Sequence, residues 1–128
     1  MRPVSTVTRF VRSLGCLLMA EFVTVAKVGA IAEGCGTSFP VGESLVAVFN
    51  LGHGEYRAIN DLCPHMGASL AEGALEGDVV TCPWHAWRFR VCDGAWCDNP
   101  RIKTDAFEVR VVGDEIQVLS EPQPRVTA

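Results

Sequence analysis

The sequence predicts an all-β domain, built as an antiparallel sandwich or barrel. Segments in which apolar and polar residues alternate recur along the chain, and this period of two is typical of strands with one buried face. Glycine-containing turn signals separate them, as at Gly52-His53-Gly54 and Gly113-Asp114. No segment has a convincing helical period. With 128 residues, of which 48% are hydrophobic, the chain can bury one modest core.

The strands are predicted one by one from these local patterns. Residues 22–28 alternate and are rich in β-branched side chains, which predicts the first strand. Residues 31–40 are rich in glycine and small residues, which predicts a loop or an irregular edge. An Asp93-Gly94 pair predicts a two-residue hairpin turn that would set Cys92 opposite Ala95. The other predicted strands are 43–50, 56–59, 79–81, 88–91, 95–97, 107–112 and 115–119.

Two short motifs contain the residues with metal-binding chemistry. They are Cys63-Pro-His65 and Cys82-Pro-Trp-His85, separated by sixteen residues, and each offers one thiolate and one imidazole. Structural zinc sites usually combine local pairs of like ligands. A single residue between Cys63 and His65 suits a binuclear centre better, although a Cys₂His₂ zinc knuckle or buried residues without metal are alternatives. The third histidine, His53, lies in a turn and is predicted to be solvated.

The motifs resemble the two cluster-binding boxes of the Rieske [2Fe–2S] family. In this family two cysteines bind one iron and two histidines bind the other. The resemblance is strongest to ferredoxins of aromatic-ring dioxygenases and to small subunits of assimilatory nitrite reductase. It implies Cys63 and Cys82 on the inner iron and His65 and His85 on the outer iron. It also implies the Rieske fold, with the domain at 21–120, an inserted cluster-binding subdomain at about 61–100, and a tail at 121–128.

The reduction potential is expected at the low end of the Rieske range. Two neutral imidazoles in place of two thiolates bring the formal charge of an oxidised cluster from about −2 to about 0, which eases reduction. Quinol-oxidising relatives have a disulfide between the boxes, whereas the corresponding positions here are Ala68 and Trp84. Trp87 stands where those relatives place a serine that donates to a bridging sulfide. Fewer donors stabilise the reduced cluster less. Met66 and Trp84 are expected to shield it from water.

The remaining cysteines and the N-terminus bear on the cellular location. Cys16, Cys35, Cys92 and Cys97 are interpreted as free thiols in a reducing compartment, which predicts a cytoplasmic protein. Residues 1–20 are interpreted as an N-terminal extension or a misassigned start, because the resemblance begins just after Met19. A secretory signal is the alternative, but the apolar run at 14–20 barely reaches the required length. No stretch approaches the 18 apolar residues of a transmembrane helix.

These features predict a ferredoxin that passes single electrons from a flavin-dependent reductase to a terminal oxygenase. The alternative is the small subunit of a nitrite reductase complex that also contains a large subunit; a redox-sensing module is a third, weaker hypothesis. The motifs include no facial triad for mononuclear iron and no nucleotide-binding glycine motif, so the chain is not expected to catalyse a reaction alone. A net charge of −4 without a basic block gives nucleic-acid binding no support, and no membrane partner is expected.

Overall fold

The computed structural model describes residues 6–13, 16–63, 67–84 and 87–123, and it describes side chains from residue 21 onward. Within these ranges the chain forms twelve strands and one short 3₁₀ helix at Leu70–Glu72. No described helix is long and apolar enough to cross a membrane. The strands are β1 (Thr6–Ser13), β2 (Cys16–Lys27), β3 (Gly36–Val41), β4 (Ser44–Gly52), β5 (Glu55–Asn60), β6 (Ala74–Glu76), β7 (Val79–Thr81), β8 (Arg88–Arg90), β9 (Ala95–Trp96), β10 (Asn99–Lys103), β11 (Ala106–Val112) and β12 (Glu115–Pro122).

The strands form two antiparallel sheets, a large one of seven strands and a small one of five. The large sheet has the order β1-β2-β12-β11-β5-β4-β3, and β2 also contacts β3, so that the sheet curls towards a barrel. The small sheet has the order β10-β9-β8-β7-β6. All five of its strands lie between β5 and β11 in the sequence. This confirms the predicted all-β fold and its inserted subdomain.

Two apolar cores lie on opposite faces of β4 and β5, because strand side chains alternate. Val46 and Val48 face the interior of the curled sheet, which we call the barrel core. Ala47 and Phe49 face the small sheet, in what we call the shared core. All four residues are 0% exposed. Strand β4 is thus buried on both faces, and it fixes the small sheet against the large one.

The two long hairpins follow their predicted turns. At the tip of β4–β5, His53 and Gly54 have φ values of 55° and 76°, the left-handed conformation that a two-residue turn of this kind requires. The β11–β12 hairpin turns at Gly113-Asp114. His53 is exposed, as predicted.

Several elements differ from the prediction. Strand β2 begins at Cys16 rather than at residue 22, and its residues 16–23 pair with β1. The start codon and the boundary of the extension stay predictions. Of the predicted loop or irregular edge at 31–40, the edge is observed, because Gly36–Val41 forms the edge strand β3, paired in continuous register with β4. The predicted tail begins two residues too early, since β12 continues through Pro122; residues 124–128 lie outside the described part of the chain.

The predicted two-residue turn at Asp93-Gly94 is wrong, because the hairpin from β8 to β9 closes over residues 91–94. Phe89 is the register partner of Trp96, and this places Ala95 beside Arg90 instead of Cys92. The Gly94 N–H donates to the Arg90 carbonyl at 2.7 Å and closes this wider turn, and the Ala95 N–H donates to the Asp93 carboxylate at 3.0 Å.

Gly94 supplies a test of how tightly the small sheet is packed. Its φ is +75°, and an added Cβ would overlap the carbonyl oxygen of Thr104. Gly77 has a similar φ of +61° with nothing within 4 Å of the added carbon. We expect Gly77→Ala to cost about 1–2 kcal/mol of unfolding free energy from backbone strain alone. Gly94→Ala should cost a further ~1–3 kcal/mol from the overlap.

Denaturant unfolding of both variants measures this difference. Equal losses of unfolding free energy in the two variants would show that the Gly94 turn accommodates the added methyl group without further destabilisation, contrary to the packing described.

Candidate metal centre

The first box, residues 63–68, is a loop closed on itself by backbone hydrogen bonds. The Cys63 N–H donates to the Ala68 carbonyl at 2.8 Å, and the Gly67 N–H donates to the Cys63 carbonyl at 2.7 Å. Leu62 and Ser69 form an isolated bridge directly outside this pair. The backbone on either side of residues 64–66 is therefore held in a fixed arrangement. His65 and Met66 lie outside the described residues.

The carboxylate of Asp61 anchors the base of this loop. Its side chain is 1% exposed, and its Oδ1 accepts hydrogen bonds from the Ser69 hydroxyl and the Ala71 N–H, both at 2.9 Å. Its backbone carbonyl accepts from the Leu70 N–H at 2.7 Å, while its own N–H donates to the Leu45 carbonyl at 2.8 Å. Asp61 thus joins the end of β5, the 3₁₀ helix and the start of β4 at one point.

The second box, residues 82–87, is a tight connection from β7 to β8. The Cys82 N–H donates to the Trp87 carbonyl at 2.7 Å, which extends the β7–β8 ladder by one pair beyond Thr81 and Arg88. His85 and Ala86 lie outside the described residues. Because the β7–β8 ladder continues to Cys82, hydrogen bonds between the two strands fix the backbone position of this cysteine.

The structure brings the two box cysteines into the same apolar environment. Cys63 is 2% exposed and Cys82 is 1% exposed, and both belong to the shared core together with Phe89 and Leu70. Neither forms a disulfide. The ligand pair predicted for the inner iron is therefore buried, from two separate loops, in one core. The positions of the two histidines stay predictions.

The surface beside the boxes is apolar and open to solvent. Leu62 is 49% exposed, and Trp84 is 62% exposed. Pro83 and Gly67 are exposed as well. Most of the Trp84 side chain therefore faces solvent, rather than forming an inner wall as the sequence led us to expect.

Three aromatic side chains pack behind the second box. The rings of Trp87 and Trp96 stack with centroids 3.8 Å apart and an interplanar angle of 6°. The Phe89 ring lies 6.3 Å from that of Trp87 and is fully buried. Among the described residues, no group accepts a hydrogen bond from the buried indole nitrogen Nε1 of Trp96. An unsatisfied buried N–H costs about 1–3 kcal/mol.

A salt bridge holds the turn that leads to Trp96. Burial raises the pKa of the Asp93 carboxyl, but hydrogen bonds from the Arg90 guanidinium and the Ala95 N–H outweigh this effect, and the pKa lies below its ordinary value. The same contact raises the pKa of Arg90. The pair stays charged at neutral pH and fixes the position of β9.

A depression of about 330 Å³ lies elsewhere, beside the β4–β5 turn. Its lining includes His53, Arg57 and Arg110, and it contains no residue of either box. His53 therefore lies apart from the described cysteines, and its exclusion from the ligand set stays a prediction.

Sequence reasoning did not single out two residues of this region, Asp61 and Trp96. The sequence carries no clear signal for Asp61, because an aspartate beside Asn60 and two residues before Cys63 is typical of an exposed position. Trp96 could not be placed near the site, since the predicted hairpin turn gave its strand the wrong register.

Comparison with known proteins identifies the family. The Rieske [2Fe–2S] domain model matches residues 21–122. The chain is 40% identical over 82 residues to ferredoxin CarAc of Metapseudomonas resinovorans, an alignment that covers 63% of this chain and 76% of that protein.

Solved structures show the same fold. A chain from the complex of reduced oxygenase and oxidized ferredoxin in carbazole 1,9a-dioxygenase superimposes with a TM-score of 0.74 at 32% identity, over 81% of this chain and 97% of that one. A putative NADH-dependent nitrite reductase small subunit from Mycobacterium tuberculosis aligns over 99% of this chain and 100% of that one, with a TM-score of 0.69 at 22% identity. The family model spans most of the chain, including both boxes and both sheets, and the chain belongs to the Rieske [2Fe–2S] family.

Proposed function

We propose that this protein is a one-electron carrier in which Cys63 and Cys82 bind one iron of a Rieske cluster and His65 and His85 bind the other. The observation that carries the proposal is the burial of both box cysteines in one apolar core, at 2% and 1% exposure. Thiolates buried there need bound cations, because an isolated charge in an apolar site is strongly unfavourable.

The donor set fits this cofactor better than four cysteines would. Two thiolates and two neutral imidazoles leave the oxidised cluster with a formal charge of about 0, and such a group is far less costly to bury than a dianion. The shared core also contains a buried donor without an acceptor, the Trp96 indole. An inorganic sulfide is the kind of acceptor that this core otherwise lacks.

The protein holds the two box loops rigid, keeps water away from the box cysteines, and leaves an apolar surface open to a partner. When bound, a Rieske cluster takes up one electron and gives it back. Backbone hydrogen bonds close both box loops, so that little of the protein has to rearrange. The shared core keeps water from the cysteine side, while Leu62 and Trp84 offer an apolar surface to a partner. We expect a small, transient interface at the low end, below about 1,200 Å².

We infer a flavin-dependent reductase as the electron donor and a terminal oxygenase as the acceptor. Support comes from the relatives, which include a ferredoxin at 40% identity and a ferredoxin found in complex with an oxygenase. We place the protein in the cytoplasm, because Cys35, Cys92 and Cys97 form no disulfide. We take residues 21–120 as the functional domain, with the cluster-binding part at about 61–100.

The second candidate is the small subunit of a nitrite reductase. It is favoured by the extent of one fold match, which covers 99% of this chain and therefore includes the β1–β2 hairpin, whereas the carbazole dioxygenase match covers 81%. Co-purification distinguishes the two candidates. A free protein that is reduced and reoxidised is a carrier, and a stable complex with a sirohaem-containing large subunit identifies the alternative.

A redox titration of the iron- and sulfide-reconstituted protein tests the proposed function. We expect a one-electron couple in the lower part of the range from about −150 to +300 mV. Cys82→Ser should abolish it, whereas Cys97→Ser, a matched change outside the boxes, should leave it in place. A protein that binds zinc and shows no couple would refute electron transfer.

The assigned histidines are tested by exchanging one ligand. His85→Cys adds a negative charge to the cluster, and we expect the potential to fall towards that of plant-type ferredoxins, at about −400 mV. His53→Cys introduces the same thiol on the exposed β4–β5 turn and should leave the potential unchanged. If both variants keep the wild-type potential while the cluster is present, the assignment of His85 is wrong.

The anchoring role of Asp61 is tested by comparing two replacements. Asp61→Ala leaves the Ala71 N–H buried without its acceptor, which should cost about 1–3 kcal/mol and speed cluster loss. Asp61→Asn keeps an oxygen at Oδ1 and should retain most of the stability. Cluster loss is followed by visible absorbance. Equal rates for Asp61→Ala and the wild type would exclude the anchoring role.

A further inference from the structure

The indole N–H of Trp96 is a donor that the described protein does not satisfy. Its Nε1 is buried, and it has no hydrogen-bond partner. The neighbouring side chains in the shared core are apolar, apart from the two box cysteines. The indole therefore packs against the same apolar cluster that contains Cys63 and Cys82.

Two steps of packing connect Trp96 to the second box. Cys82 and Trp87 are joined across the β7–β8 ladder by the hydrogen bond from the Cys82 N–H to the Trp87 carbonyl. The ring of Trp96 then lies flat on that of Trp87, with 3.8 Å between the centroids. Trp96 also pairs with Phe89 across β8 and β9, and Phe89 has no polar atom to offer in this position. Among the described buried side chains, the Trp96 indole is thus an unpaired donor held beside the second box by stacking and by strand register.

We propose that the Trp96 indole N–H donates a hydrogen bond to sulfur of the [2Fe–2S] cluster and thereby raises its reduction potential. The inference rests on the proposed function, since it requires the cluster. Its physical basis is that reduction adds negative charge to the cluster, and a donor to sulfur stabilises the reduced form more than the oxidised form. The acceptor is a cluster sulfide rather than a cysteine thiolate, because the Nε1 atom finds no sulfur partner among the described residues.

A buried water is the rival acceptor for this N–H. Buried waters typically make about three hydrogen bonds, and therefore need several polar partners around them. Among the described residues within 61–104, the buried polar side chains are Asp61 and Thr104, and the Asp61 carboxylate already accepts two hydrogen bonds. A sulfide needs no further partners to accept this bond.

The experiment replaces the N–H and leaves the ring. Trp96→Phe removes the donor but also replaces the two fused rings by one. A second protein therefore carries benzothienyl-alanine at position 96, which keeps the shape and stacking of the indole and has sulfur in place of the N–H. Tyr56→Phe is the control, because it also removes a polar hydrogen from a buried aromatic residue, but in the barrel core. Each protein is reconstituted, its potential is measured, and the reduced cluster is examined by electron–nuclear double resonance with ¹⁵N-labelled indole.

We expect the potential to fall in both position-96 proteins, by about tenfold in the reduction equilibrium constant, which is 59 mV for a one-electron couple. The ¹⁵N and exchangeable-proton couplings of the Trp96 indole should be absent in both position-96 proteins. The Tyr56→Phe protein should keep the wild-type couplings and the wild-type potential. An unchanged potential with no indole coupling in the wild type overturns the proposal and assigns the N–H to water. Failure of the wild type to form any [2Fe–2S] spectrum would instead refute the proposed function.

Discussion

The site depends on one constraint, which is that two loops, one following β5 and one joining β7 to β8, must meet in a single apolar core. Strand β4 makes this possible because it is buried on both faces, with Val46 and Val48 in the barrel core and Ala47 and Phe49 in the shared core. The large sheet therefore provides a firm base, and the box cysteines are set against it. Without that second face, the inserted strands would be short ribbons with too little buried surface to be stable.

The same core explains the choice of ligands. A low-dielectric site magnifies every interaction between charges, so the net charge of whatever is bound there decides whether it can be buried. Two buried thiolates can be neutralised by iron and sulfide only if the other two ligands bring no charge, and imidazoles meet that requirement. Electrostatics and packing therefore lead to the same donor set that the motif spacing suggested.

Local patterns were sufficient for much of the fold, and long-range contacts account for the rest. The β4–β5 and β11–β12 hairpins were predictable because their turn residues and alternation lie within a few residues of each other. The β8–β9 register was not, since the Gly94 N–H closes a wider turn onto the Arg90 carbonyl while the Gly94 carbonyl accepts a hydrogen bond from Thr104, outside the hairpin. Cys63 and Cys82 could be proposed as ligands from the two motifs and their resemblance to a known family, because metal chemistry restricts the residue types. Asp61 and Trp96 could not be singled out, as their importance comes from partners that only the folded chain brings together.

An electron carrier must be equally well suited to its oxidised and reduced forms, and the two box loops meet this demand in different ways. The first is closed by its own backbone bonds and anchored by the Asp61 carboxylate, whereas the second is an extension of a β-ladder. Both arrangements fix the backbone independently of any bound group, so a change of one charge does not need to move it. The free energy of adding one electron then depends on the hydrogen bonds and the dielectric constant of the site rather than on a change of conformation. A single buried N–H can consequently have a measurable effect on potential in a site that otherwise has so few donors.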